Sequence, residues 1–276
     1  LENLLELVVN EDFGDGDHSS FACIPVDAHG KAKLLVKESG VLAGVEIAQK
    51  VAAKIDSDLK FEIFLTDGAL IKPGDIAFTV SGKVHSILQA ERLILNFMQR
   101  MSGIATETAK YADKIADLKT KILDTRKTSP GLRYFEKAAV KIGGGENHRM
   151  GLYDMIMLKD NHIDYAGGIE KAILKTNEYL KTKNKNLKIE IEVRNFAELE
   201  QVLKTGKIHR IMLDNFSVEN TRKAVQLIER KYETESSGGI TLETVRAYAE
   251  CGVDFVSVGA LTHQIKSLDL SLKAFT

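Results

Sequence analysis

The sequence predicts an α/β protein in two parts, and three observations carry that expectation. Residues 1–102 mix short strands and helices without regular alternation. Residues 103–276 alternate apolar strand-like runs with helical stretches, the pattern of parallel strands joined by right-handed crossovers. Polar residues or glycines follow every readable strand of the second part, the place where ligands bind in parallel α/β folds.

In the first part, Leu4, Leu5, Val8 and Val9 are spaced for a short amphipathic helix, which the acidic, glycine-rich run EDFGDGDHSS ends. KAKLLVKES reads as a strand and GVEIAQKVAAKI as a helix. FEIFL and DIAFTVSG read as strands around the turn chemistry of DGALIKPGD. From Ser86 the run SILQAERLILNFMQRMSGIATETAKYADKIADL holds no proline. It predicts one long helix, or two abutting helices with Gly103 at the junction. The strands KILDT, MIMLK, KIEIEV, RIMLD, YETESS and DFVSV follow, with room for a seventh around AVKIGGG. Helical stretches such as AELEQVLK, VENTRKAVQLIERK and LETVRAYAECG separate most of them. The second part is too short for an ordinary eight-fold barrel of about 250 residues. A reduced barrel and an open doubly wound sheet both fit the pattern.

Composition narrows the partners. Hydrophobic residues make up 44% and charged residues 28%, enough apolar material for a packed core. Lys plus Arg is 38 against 39 Asp plus Glu, so no global charge points to nucleic acid or a membrane surface. Anion binding must come from cations gathered locally. Cys23 and Cys251 lie far apart without metal-type spacing, which predicts free thiols in a reducing compartment. The opening LENLLELVVNEDFGDGD is acidic, and no apolar run reaches about 18 residues. The expectation is a cytoplasmic protein with no export signal and no membrane span.

The strand ends sort into three chemical groups. Arg126, Lys127, His148, Arg149 and Lys159 are cationic or can become so. Arginine forks bind planar carboxylates bidentately, and lysine adds a point charge. Glu192 and Asp214 end neighbouring strands and could bind ribose hydroxyls, hold Mg2+ through water, or stabilise a cationic transition state. SSGG at 236–239 and VGAL at 258–261 offer small residues where backbone N–H groups can approach a phosphate. The plain alternative for each charge is a solvated surface residue or a structural salt bridge. Their joint occurrence at the strand ends points to an enzyme acting on a polyanionic substrate.

The ordered set DTRKTSPGLR, GGGENHRMGLYDMIMLKDNH, IEIEV, IMLDNF, ESSGGIT and VSVGALTH resembles the quinolinate phosphoribosyltransferases, also called nicotinate-nucleotide pyrophosphorylases (carboxylating). EDFGDGDHSS, SGVLAGVEIA, GDIAFTVSG and AERLILNFMQRMSGIAT extend the resemblance to the first part. The resemblance implies an N-terminal α/β sandwich domain over residues 1–102 and an incomplete, seven-stranded parallel α/β barrel over residues 103–276. It implies a homodimer or higher even oligomer in which the N-terminal domain covers the partner's barrel mouth. Arg126, Lys127, His148, Arg149 and Lys159 would then bind quinolinate, with Arg92 reaching the pocket from the partner. Glu192 and Asp214 would face the ribose and Mg2+ of phosphoribosyl pyrophosphate. Ser237, Gly238, Gly239, Gly259 and Ala260 would cradle its 5′-phosphate. Ala138, where the family often has an aromatic, and ESSGG in place of EASGG leave every charged role intact.

The implied reaction is a decarboxylating phosphoribosyl transfer giving nicotinate mononucleotide, pyrophosphate and CO2, with Lys159, Glu192 and Asp214 as the catalytic residues. Three other readings compete. A paralogous group associated with molybdenum uptake shares TRKT-like and HR-like motifs but typically lacks the Lys of LKDNH, which is present here as Lys159. A Schiff-base lyase would use Lys159 as its nucleophile. A degenerate barrel would bind a phosphorylated ligand without chemistry, and the intact set of strand-end charges speaks against it.

Overall fold

A computed structural model describes residues 2–275. The chain divides into two compact units. The first takes residues up to Ala109 with Thr128–Gly144 and the segment from Leu261 onward, and the second takes Lys110–Lys127 and Gly145–Ala260.

The first unit opens with helices α1 (Glu2–Phe13) and α2 (His18–Cys23). Strand β1 (His29–Val36), the short β2 (Gly40–Val41), helix α3 (Val45–Ile55) and strands β3 (Lys60–Ile63), β4 (Leu70–Ile71) and β5 (Ile76–Lys83) follow. Helix α4 (Val84–Lys114) comes next, and α5 (Arg133–Ile142) also belongs to this unit. Its main sheet is antiparallel, in the order β12-β1-β5-β3, where β12 is the C-terminal strand Leu270–Phe275. One face of the sheet buries Ala32, Leu34 and Val36 of β1, Phe78 and Val80 of β5, and Leu270 and Leu272 of β12. This alternation is the period of two that a half-covered strand requires.

Helix α4 is continuous over 31 residues and runs through the expected domain boundary at 102/103. Gly103 therefore joins no pair of helices. A Cβ at this position would run into the backbone carbonyl of Lys266, so glycine serves close packing of backbone on helix.

The second unit contains strands β6 (Lys121–Leu123), β7 (Ile156–Leu158), β8 (Ile189–Val193), β9 (Arg210–Asp214), β10 (Glu233–Ser237) and β11 (Phe255–Ser257). Helices α6 (Asp160–Ala166), α7 (Ile169–Thr182), α8 (Phe196–Thr205), α9 (Val218–Ile228) and α10 (Val245–Ala249) connect them, and α11 (Ala260–His263) follows β11. All six strands are parallel, in the order β6-β11-β10-β9-β8-β7, and the barrel does not close. The expected seventh strand is reduced to one parallel bridge between Leu123 and Glu146. The AVKI of AVKIGGG is instead the end of α5.

The two faces of this sheet differ in chemistry. Ile189, Ile191, Val193, Ile211 and Leu213 pack with Ile173, Leu199, Val202, Ala224 and Ile228 of the covering helices. Alternation then turns Glu190, Glu192, Arg210, Met212 and Asp214 to the inner face. Four of those five are charged, so the inside of the arc is polar rather than a packed apolar core.

Candidate active site

The carboxyl ends of the parallel strands build the site. After β6, Asp124 is fully buried. It accepts the backbone N–H of His148 at 2.8 Å and Nδ2 of Asn147 at 2.5 Å. This ties the segment after the Glu146 bridge to the end of β6. Arg126 and Lys127 follow, exposed, with the Lys127 backbone N–H donated to Thr125 Oγ1 at 3.0 Å.

Arg149 is half-buried and contacts only neutral atoms, Met155 O at 3.3 Å and Met157 Sδ at 3.6 Å. Among the described residues no carboxylate lies within ion-pair distance of Arg126 or Arg149. Burial, then the neighbouring Arg126 cation, pulls the Arg149 pKa below its ordinary value. Guanidinium groups outside any ion pair at a strand end make a place for an anion.

Lys159 ends β7 as the N-cap of α6, and His162 Nδ1 receives its backbone N–H at 3.1 Å. Its Nζ reaches Glu192 Oε2 at 2.9 Å; the Lys side chain is 46% exposed and the Glu side chain 9%. Asp214 ends β9 and accepts Nδ2 of Asn215 at 2.7 Å. Asn215 sits at φ 55 and donates its backbone N–H to Ser237 O at 2.8 Å. Gly238 is at φ 95, and a Cβ there would collide with the Asn215 side chain. The β9 and β10 turns therefore interlock, and glycine is required at 238 for both reasons. Gly239 is at φ 61 with open space where a Cβ would project. Helix α10 begins at Val245, beyond a turn, whereas Ala260 directly opens α11 after Gly259.

On the inner face His148, expected from the sequence, joins two buried acids that the sequence did not single out. Glu190 and Glu235 are fully buried. His148 Nε2 lies 2.9 Å from Glu190 Oε2 and 3.4 Å from Glu235 Oε2. Arg210 bonds Glu235 at 3.1 Å and Glu233 at 3.0 Å, and its guanidinium stacks 3.9 Å from the Phe255 ring centroid. The usable signal was glutamate at alternate positions of IEIEV and YETESS, with apolar or small residues between.

Burial, then the Glu235 charge, raises the Glu190 carboxyl to about 7. For His148, burial pulls down, but hydrogen bonds to Glu190 and Glu235 outweigh it and lift the ring to about 9. Its Nδ1 nevertheless accepts the Arg149 backbone N–H at 2.7 Å, and a proton on Nδ1 would face that N–H. Geometry leaves Nδ1 bare. The proton is therefore shared within the coupled cluster of His148, Glu190 and Glu235 rather than placed on Nδ1.

Glu192 and Asp214 are oxygen donors on one face of adjacent strands. Mg2+ commonly takes one or two carboxylates with water and substrate phosphate, so the donor set suits it. Among the described residues, one trio of metal-ligand type, His148, Glu190 and Glu235, brings ligand atoms within 4.8 Å. In it His148 Nε2 lies against both acids and Glu235 Oε2 against Arg210, while Glu190 Oε1 and Glu235 Oε1 have no hydrogen-bond partner.

Arg92 lies in the first unit, exposed on α4, with no ion-pair partner among the described residues. A cavity of about 680 Å3 opens at the amino ends of the second unit's strands, lined by Lys119, Lys188, His209, Arg230 and Asp254 among others. It is at the end of the sheet away from the residues above.

Comparison with known proteins agrees over the whole chain. Residues 17–102 match the model of the quinolinate phosphoribosyl transferase N-terminal domain, and residues 104–273 match that of the C-terminal domain. Quinolinate phosphoribosyltransferase [decarboxylating] 1b of Nicotiana tabacum is 46% identical, over 100% of this chain and 83% of that protein. The chloroplastic nicotinate-nucleotide pyrophosphorylase [carboxylating] of Arabidopsis thaliana is 47% identical, over 100% and 83%. Among solved structures, NadC from Streptococcus pyogenes superposes with a TM-score of 0.93 at 39% identity, covering 100% of this chain and 97% of that one. A polar, open parallel barrel with unpaired arginines at its strand ends, in a chain matched end to end by these proteins, belongs to the quinolinate phosphoribosyltransferase family.

Proposed function

We propose that this chain transfers the phosphoribosyl group of phosphoribosyl pyrophosphate to quinolinate with loss of CO2, making nicotinate mononucleotide for NAD biosynthesis. The observation that carries this reading is the set of cations at the carboxyl ends of the parallel strands, with Arg126 and Arg149 outside any ion pair among the described residues and Lys159 held by Glu192 at 2.9 Å.

Quinolinate presents two carboxylates on a pyridine ring. In this reading Arg126, Lys127, Arg149 and Lys159 receive them, with His148 beneath and Arg92 supplied by the partner subunit of a homodimer or higher even oligomer. The exposure of Arg92 without an internal ion pair suits such a role. The pocket fixes the ring nitrogen in line with C1 of the ribose. That nitrogen's lone pair forms the new bond to C1 as the C1–O bond breaks, and the electron pair leaves with pyrophosphate. Positive charge develops on the ribose as in glycoside cleavage, and Glu192 and Asp214 stabilise it. Both would also hold Mg2+, which when bound neutralises the leaving pyrophosphate. Ser237, Gly238, Gly239, Gly259 and Ala260 would hold the 5′-phosphate through backbone N–H groups. The carboxylate next to the ring nitrogen then departs as CO2, leaving its electron pair on the ring carbon beside N+. A proton quenches that carbon, and Lys159 is placed either to deliver it or to anchor a carboxylate.

A Schiff-base lyase is disfavoured by geometry, because the Lys159 amine is engaged by Glu192 at 2.9 Å rather than open toward a carbonyl. For location, two free cysteines suit a reducing compartment, and the cytoplasm is the reading put forward. Relatives named as mitochondrial or chloroplastic make an organelle the alternative that cell fractionation decides. Among the described residues no helix is long and apolar enough to cross a membrane.

Incubation with quinolinate, phosphoribosyl pyrophosphate and Mg2+ tests the reaction. Stoichiometric CO2 and nicotinate mononucleotide are expected. Their absence, with folded protein and a working control enzyme, overturns it.

A further inference from the structure

The buried acids Glu190 and Glu235 meet His148 and Arg210 and, among the described residues, form no ion pair with Arg126, Arg149 or Lys159. Glu190 comes from β8 and Glu235 from β10, and both meet the one ring of His148. Carboxylates accept hydrogen bonds, so they draw the ring proton to Nε2. That choice leaves Nδ1 free to accept the Arg149 backbone N–H at 2.7 Å. From the other side Asp124 holds the His148 N–H and the Asn147 side chain. The residues leading into Arg149 are thus tied from β6, β8 and β10. The Arg149 guanidinium itself has only a carbonyl at 3.3 Å and a thioether at 3.6 Å. Its aim is therefore set by the backbone that carries it.

From this arrangement we infer that Glu190 and Glu235 are positioning residues for the quinolinate pocket, acting through the His148 ring to aim Arg149. The inference rests on the reaction proposed above, since Arg149 is there a carboxylate-binding group. It also gives a reason for an arrangement that is poor for stability alone. Both Glu190 oxygens and Glu235 Oε1 are buried without a hydrogen bond of good geometry, so the acids meet the His148 ring as close charge contacts. Buried charges of this kind are usually outdone by apolar packing of similar volume. Arg210, bonded to Glu235 and stacked on Phe255, keeps the second acid in place from below.

The test combines a spectroscopic reading with a binding cycle. Nitrogen NMR of the His148 ring in the unliganded wild type should show Nε2 protonated and Nδ1 bare; a protonated Nδ1 overturns the proposal whatever the variants do. Calorimetry then follows quinolinate binding to the wild type, Glu235→Gln, Arg149→Ala and the double variant, each checked for an unchanged melting temperature. Glu235→Gln should weaken quinolinate binding by about 10-fold or more, as losses of supporting hydrogen bonds commonly do, with KM for phosphoribosyl pyrophosphate within about two-fold. On the Arg149→Ala background the same change should add little, because the group it aims is gone. Full additivity, or unchanged affinity in Glu235→Gln, overturns the positioning role. If Glu235→Gln does not fold, Glu190→Gln enters the same cycle. Failure of the wild type to bind quinolinate at all would instead strike the proposed reaction, and the ring reading would remain separate from it.

Discussion

Lys159 Nζ stands 2.9 Å from Glu192 Oε2, which joins the carboxyl ends of β7 and β8 by a single ion pair. The contact fixes the position of the lysine amine at the strand ends. If Lys159 delivers the proton to the ring carbon, Lys159→Met should lower kcat by about 10²–10⁴-fold, the usual range for losing a general acid. If it anchors a carboxylate, the loss should fall chiefly on KM for quinolinate. Steady-state kinetics separates the two roles, and wild-type values for both constants would remove Lys159 from the site.

Glu192→Ala and Asp214→Ala should chiefly impair turnover with phosphoribosyl pyrophosphate. Chelation of Mg2+ should produce the same defect in the wild type. Titrating Mg2+ back against each variant checks the assignment, which predicts a raised Mg2+ requirement. Unaltered Mg2+ dependence in both variants would contradict it.

Arg126, Lys127, Arg149 and Lys159 at the strand ends exceed what one carboxylate needs, so the pocket should prefer quinolinate over nicotinate. A site built to pair two carboxylates leaves charge unmatched when one is missing, and discrimination can reach about 10⁴. Arg149→Ala should weaken quinolinate binding by about 2–5 kcal/mol if the pair is desolvated. Comparable turnover of nicotinate would refute the pocket assignment, as would unchanged quinolinate affinity in Arg149→Ala by calorimetry.

Arg92 is expected to act in the partner's site. Arg92→Ala and Lys159→Ala should each be nearly inactive as homodimers. A heterodimer of the two holds one site with both residues intact and one with neither. Random one-to-one remixing makes about half of the dimers mixed, so roughly a quarter of wild-type activity should return. No recovery after confirmed subunit exchange would place Arg92 in its own chain's site or outside any site.

Asp117 and Arg246 form a two-pronged pair at 2.8 and 2.9 Å. Hydrogen bonding to Arg246 lowers the Asp117 carboxyl from 3.8 to about 2. A carboxyl depressed in the folded state adds stability that is present above the unfolded value and lost as pH falls through about 2. Arg246→Gln should return the carboxyl toward 3.8 and remove that acid-side slope. Carboxyl-selective NMR titration reads this directly; a value still near 2 in the variant would assign the shift elsewhere.

Much of this molecule is legible in the sequence. Periods of two and of 3.6 are local, so IEIEV, RIMLD and VENTRKAVQLIERK announced β8, β9 and α9. The strand-end residues Lys159, Glu192, Asp214 and Ser237 followed from the strands, because polarity after a parallel strand has one place to go. The family followed from short motifs in order along the chain. What only the tertiary structure decided depends on residues far apart in sequence. KILDT announced β6, but nothing local says that it will lie beside β11, nor that β12 will pair with β1. Gly103 could be read as a helix junction because the Lys266 carbonyl that requires it lies in a distant segment. His148 read as one more strand-end cation for the same reason. Its partners Glu190 and Glu235 sit on strands separated by β9, and only the parallel register of Glu190 with Arg210, and of Glu235 with Met212, turns them toward one ring. Register between strands joined by helical crossovers is set by the packing of the whole sheet, and no local stretch of sequence encodes it.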